Sequence, residues 1–157
     1  MLNFARLSRL TACITVFLFL LSAPLLADTI YSATLDGATA GSASTATGTA
    51  VFILNTARTE VSYVVDYTVL GSAETGAHIH NGAPGVPGPR FHTFSFGTPK
   101  TGVWQVGEFE VGELENGRVY VNIHSFDYPG GELRGDLSFT SVGNDGTSWG
   151  AVKVLFR

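Results

Sequence analysis

From residue 59 to residue 70 the chain alternates, with Val61, Tyr63, Val65, Tyr67 and Val69 on one parity and Ser62, Asp66 and Thr68 on the other. A repeat of two belongs to an extended strand, whose successive side chains point to opposite faces. The stretch therefore reads as a half-buried strand with its aromatic and β-branched residues on one side. Asn55-Thr56-Ala57-Arg58 supplies the turn from a preceding strand at 49–54, which makes a hairpin. The same patterning predicts strands at 30–35, 77–80, 91–96, 103–109, 118–124, 132–140 and near 151–156, separated by turn-rich segments. Residues 36–48, rich in Ala, Ser, Thr and Gly, read as a mobile or solvent-exposed loop. No ten-residue stretch carries a helical apolar stripe. The expected fold is all-β, a Greek-key β-sandwich or barrel of about eight antiparallel strands. Trp104, Phe109, Tyr120 and Phe139 are its expected core aromatics.

The first 27 residues have a different grammar. Arg6 and Arg9 precede an apolar run from Leu10 to Leu21, which exits through Ser22-Ala23-Pro24-Leu25-Leu26-Ala27. A basic start, an apolar middle and a small-residue end predict a secretory signal peptide over 1–27 and a single domain over 28–157, secreted or periplasmic. The run is short for a permanent span of roughly 20 apolar residues, so no stable membrane span is expected after cleavage; an uncleaved anchor is the alternative. The one cysteine, Cys13, falls inside this segment, leaving the mature chain without disulfides. Cleavage removes two of the nine basic residues and none of the thirteen acidic ones, taking the formal charge from −4 to −6. Nucleic acid is thereby excluded as a partner, since phosphate binding needs basic surface.

Chemistry concentrates in four histidines. His78 and His80 flank Ile79, and residues i and i+2 of a strand share a face, about 7 Å apart at their backbones. His124 ends the predicted strand Val119-Tyr120-Val121-Asn122-Ile123-His124, and His92 follows a Pro/Gly-rich loop. All four lie at strand edges or loop junctions, where an open metal site can be assembled. With no thiol available, a nitrogen-only site suits copper or zinc rather than iron–sulfur chemistry or calcium. The competing reading has these rings bonding loop carbonyls and nothing else.

A second dense stretch runs from Asp127 through Pro129-Gly130-Gly131 to Asp136. Its Glu132, Arg134 and Asp136 share a strand face and are placed to pair with one another, or simply to be solvated. No Gly-x-Ser-x-Gly elbow appears, and no pair of carboxylates is singled out for glycoside chemistry.

Ala77-His78-Ile79-His80-Asn81-Gly82-Ala83-Pro84-Gly85, then Tyr120-Val121-Asn122-Ile123-His124 and Pro129-Gly130-Gly131-Glu132-Leu133-Arg134-Gly135, resemble the CHRD domain, named for its repeats in chordin. Ala33-Thr34-Leu35-Asp36-Gly37 and Ala46-Thr47-Gly48-Thr49-Ala50 resemble its first strands, so the likeness covers most of residues 30–139. The loop after Gly37 departs from the family, with Ala, Gly and Ser in place of an acidic and Pro-Pro motif. The resemblance implies a β domain and, at most, an unidentified extracellular protein partner; it implies no reaction. More distantly, the chain resembles copper/zinc superoxide dismutases. That likeness implies copper, without zinc, on His78, His80 and His124, with His92 as a possible fourth ligand and Arg134 as an anion-attracting group. Together these readings lead to an exported copper-binding module, with a metal-free adhesion or structural module as the alternative and a copper-only dismutase-like enzyme behind both.

Overall fold

The alternating segments form antiparallel strands because each has one apolar parity to bury and a turn signal at its end. The computed structural model describes residues 27–142. The expected signal segment and the expected strand near 151–156 lie outside the described residues, apart from Ala27. In chain order the elements are β1 (Thr29–Asp36), α1 (Gly37–Ala40), β2 (Thr47–Leu54), β3 (Glu60–Tyr67), β4 (Glu74–Asn81), β5 (Arg90–Thr93), β6 (Lys100–Gln105), α2 (Glu108–Glu115), β7 (Val119–Ser125), β8 (Leu133–Asp136) and β9 (Ser138–Val142). The strands lie in the order β5-β4-β7-β8-β1-β2-β3-β6, with β9 also on β1, all pairs antiparallel. The sheet is a nearly closed barrel with crossovers from β3 to β4 and from β6 to β7.

The inward parity fills the barrel. Leu35, Phe52, Leu54, Val61, Val65, Ala77, Ile79, Val121 and Ile123 are fully or almost fully buried, and Trp104 joins them. At about 1.5–3 kcal/mol for each large apolar side chain taken from water, this set supplies the principal drive to fold. Tyr120 is buried, but on the outer side of the sheet rather than in the core, and Phe109 and Phe139, 61% and 62% exposed, are not core residues. Phe109 lies on a helix rather than a strand: Gly107 is the N-cap of α2, its N–H donating to Glu110 Oε2 at 3.1 Å, and the helix's buried apolar residues are Val111 and Leu114. Eight residues with two buried apolar positions are too few to form a visible stripe.

Two other expectations change. The predicted strand at 132–140 is two strands, because the chain turns at buried Leu137 and passes from pairing with β7 to pairing with β1. Residues 36–48 are anchored rather than loose. Asp36 caps α1 by accepting from Thr39 N–H at 2.6 Å, and Ser42 and Ser44 donate to the Glu132 carbonyl and to Glu132 Oε1, both at 2.7 Å.

Candidate metal centre

The outward parity of β4, β7 and β8 is polar. Cross-strand register places His78 opposite Asn122, His80 opposite Tyr120 and Gly76 opposite His124, and then Asn122 opposite Arg134 and Tyr120 opposite Asp136. Because directly opposed residues share a face, His78, His80, Tyr120, His124, Arg134 and Asp136 all stand outside the barrel, above buried Ala77, Ile79, Val121 and Ile123.

Here three of the four histidines meet. One ring nitrogen from each of His78, His80 and His124 lies within 4.8 Å of the others. Ring centroids are 5.0 Å apart for His78 and His124, 5.5 Å for His78 and His80, and 6.3 Å for His80 and His124. Gly76 allows the closest of these approaches, since a Cβ there would stand 3.2 Å from His78 Cε1.

Hydrogen bonds fix two of the tautomers. His80 Nδ1 donates to the Gly88 carbonyl and His124 Nδ1 to the Pro129 carbonyl, each at 2.9 Å. A carbonyl only accepts, so each Nδ1 carries the proton and each Nε2 presents its lone pair. Both Nε2 atoms, and Nδ1 of His78, are buried without a hydrogen-bond partner. Burial, with smaller contributions from His124, His80 and Arg90, pushes His78 down to about 4. Burial also lowers His80, against a partly opposing hydrogen bond to Gly88. At neutral pH these two rings are therefore uncharged, the state a metal requires.

The surrounding groups hold the rings in place. Tyr120 stacks on His80 at 5.1 Å and 9°, and the Arg134 guanidinium covers the other Tyr120 face, 3.5 Å from its centroid. Arg134 also donates to the carbonyls of Ala83 (3.1 Å) and Val86 (3.2 Å) and, through Nε and Nη2, to Asp136 Oδ1 at 3.0 and 2.7 Å. The loop at 82–89 is thereby tied down, and with it the Gly88 carbonyl that orients His80. Gly88 approaches Asn81 so closely that a Cβ would fall 1.5 Å from the Asn81 carbonyl oxygen.

Arg134, expected to attract anions, is 6% exposed and saturated by these contacts; it is a clamp. Glu132 does not pair with Arg134 or Asp136 and is not solvated. It is fully buried and accepts from Ser44 Oγ and Gly71 N–H at 2.7 Å each.

His92 does not reach the cluster. It pairs with Ile79, whose side chain points inward, and packs against Tyr63, Phe94 and Trp104. A bulge in β5 between the partners of Ile79 and His80 lets Phe91 and His92 both pack against Trp104, and it turns Arg90 back to the outer face. Sequence reading missed Arg90, whose Nη1 stands 3.3 Å from His78 Nε2, and also the two carbonyls that set the tautomers. The parity of Tyr120, Asn122 and His124 was a usable signal for Tyr120, whereas a bulge leaves no mark in composition.

An antiparallel barrel that carries a trihistidine cluster on its outer face defines the class of molecule. The chain belongs to the CHRD domain family, whose model matches residues 31–137. No curated protein and no solved structure matches it.

Proposed function

We propose that this CHRD domain binds one transition-metal ion, copper, through His78, His80 and His124. The observation that carries the reading is a trio of histidines that each bring a ring nitrogen within 4.8 Å of the other two and each keep one ring nitrogen buried without a hydrogen-bond partner. A buried polar atom left unsatisfied costs about 1–3 kcal/mol, and a shared ion removes that cost from all three. Coordination at roughly 2 Å per nitrogen draws the three atoms closer together than they stand here. The carbonyl partners of His80 and His124 are the kind of outer contact that orients metal-bound imidazoles. Neutral nitrogen donors without a thiolate or carboxylate favour copper, the tightest of the first-row divalent ions at such sites. Bound copper would supply a Lewis-acidic, redox-capable centre; the chain's own part is to hold the rings neutral and aimed.

The experiment is metal analysis and copper titration of untagged protein. One equivalent of copper is expected, lost in a His78→Ala/His80→Ala variant; wild type that stays metal-free and gains no stability from added copper would rule the reading out. Export follows from the first 27 residues, and its test is whether cell fractionation finds a chain beginning near Asp28 outside the cytoplasm. Among the described residues no helix is long and apolar enough to cross a membrane.

A further inference from the structure

Strand β2 buries both of its faces. Phe52 and Leu54 fill the barrel, yet Val51 and Ile53, of the opposite parity, are buried as well, at 8% and 5% exposure. These two form a separate apolar cluster with Ile30 and Val64. Its shape follows from register: Ile30 stands opposite Ile53 and Val51 opposite Val64, on the outer side of β1, β2 and β3. An antiparallel sheet ordinarily leaves its outer face to water, and a strand buried on both faces needs a layer over each. Among the described residues the elements packed most closely on β2 are β1, β3 and β8, which belong to the same sheet and cannot roof it. A cavity of about 410 Å³ indents this face, lined by Ser32, Thr34, Thr49, Val51, Asp136 and Ser138. Its hydroxyls both donate and accept, so they can serve the main chain of an extended segment.

The chain leads to this face. Strand β9 ends at Val142 opposite Thr29, one residue from the Ile30–Ile53 pair, and residues 143–157 follow. Gly143-Asn144-Asp145-Gly146 is a turn signal. Beyond it, Ala151 to Phe156 alternates, with Val152, Val154 and Phe156 on one parity. From the Ile30–Ile53 pair to the Thr34–Thr49 pair is four residues of strand, about 13 Å. Residues 147–157 reach up to about 36 Å when extended, so the length suffices. Charge agrees: after Asp145 the chain carries Lys153 and Arg157 and no acid, while Asp66, opposite Thr49 on the outer face, has no cationic partner among the described residues.

We propose that residues 151–156 lie across the outer face of β1, β2 and β3, with Val152, Val154 and Phe156 against the cluster of Ile30, Val51, Ile53 and Val64. The occupant is this chain's own segment rather than a second copy, because a tether that starts one residue from the cluster holds the segment at an effective concentration on the order of millimolar. Strands β8 and β1 separate this face from the histidines of β4 and β7, so the inference stands independently of the metal reading.

The test is disulfide trapping in the full chain carrying Cys13→Ser. Ile53→Cys is combined in turn with Val152→Cys, Lys153→Cys, Val154→Cys and Leu155→Cys, and the rate of disulfide formation within one chain is followed by intact mass and peptide mapping. A period of two is expected, with Val152→Cys or Val154→Cys at least about tenfold faster than Lys153→Cys and Leu155→Cys. Urea denaturation adds a measure that needs no cysteine. Ile53→Ser and Val154→Ser are each expected to lower the midpoint, and Val154→Ser to lower it little further once Ile53 is already Ser, because contacting residues are not additive. Equal trapping rates at all four positions, which a loose tether would give, or fully additive midpoint shifts overturn the proposal. So do disulfides formed only between chains, which would put a second copy on this face, and a disulfide from Ile53→Cys to Cys13 where that cysteine is retained, which would put the first 27 residues there.

Discussion

Replacing Arg134 with Met keeps most of the stem volume and removes the charged head, so it isolates what the clamp contributes. The Arg134 side chain is 7% exposed and that of its partner Asp136 22%. Breaking a buried pair costs about 3–5 kcal/mol, and the partial exposure of Asp136 places this one near the lower end, at about 3 kcal/mol. The stack on Tyr120, with the guanidinium carbon 3.5 Å from the ring centroid, adds about 1 kcal/mol. The carbonyls of Ala83 and Val86 lie in a surface loop and can turn to water, so their loss adds little. The sum is about 4 kcal/mol, a large share of the roughly 5–15 kcal/mol that holds a domain together. Urea denaturation of metal-free protein measures it. A second effect follows from connectivity: once the loop at 82–89 is loosened, the Gly88 carbonyl no longer fixes the His80 ring, and copper affinity should fall about 10–100-fold, as it does when outer-shell partners are removed elsewhere. Arg134→Lys should recover little of either, because an ammonium cannot bridge Asp136 and two carbonyls while lying flat on a ring. A destabilisation below about 1 kcal/mol together with unchanged copper affinity would refute the clamp.

Three further outcomes are expected. Ile79→Ala, at a fully buried position between the two outward histidines, should cost about 2–5 kcal/mol by urea denaturation while one equivalent of copper still binds the folded protein. Gly131 has φ 131° and a Cβ there would come within 2.3 Å of Asn122 Oδ1, so Gly131→Ala should destabilise, by about 1–3 kcal/mol, whereas Gly130→Ala, with open space around it, should change little. Burial works to raise the Glu132 carboxyl, but the nearby Ser125 hydroxyl, the Gly71 N–H and the Ser44 hydroxyl together outweigh it and hold it below the usual range. Glu74 is likewise held low, its burial outweighed by Lys100, Tyr67 and the Gly97 N–H. Both carboxylates therefore stabilise the fold above the ordinary glutamate value of 4.5, and that stability drains away as pH falls through their lower native values. The urea midpoint should drop below pH 4.5, and less steeply in Glu132→Gln; an unchanged slope would show that Glu132 does not contribute.

Much of this could be read from the chain, for reasons of parity. Alternation gave the hairpin of β2 and β3 and the shared face of His78 and His80, because strand geometry leaves only two sides to choose from. Joining His124 to that pair needed the β4–β7 register, which a family likeness suggested and periodicity alone does not contain. His92 misled because residue spacing cannot reveal a bulge, and one extra residue reverses every later side chain on the strand. Glu132 and Arg134 misled in another way. Charged residues after a turn are ordinarily solvated, but here neighbouring loops fold over them and supply partners from residues 44, 71, 83 and 86. Those partners are 48–88 residues away in sequence, beyond any local pattern.

Strand β4 sends Ala77 and Ile79 into the barrel and His78 and His80 out of it, so adjacent residues answer to different demands. What lies inside decides whether the chain folds, and what lies outside is left to the chemistry of the surface. On the metal reading, substitution at positions 78, 80 or 124 changes the outward chemistry of the strand and leaves the inward residues that set its register in place.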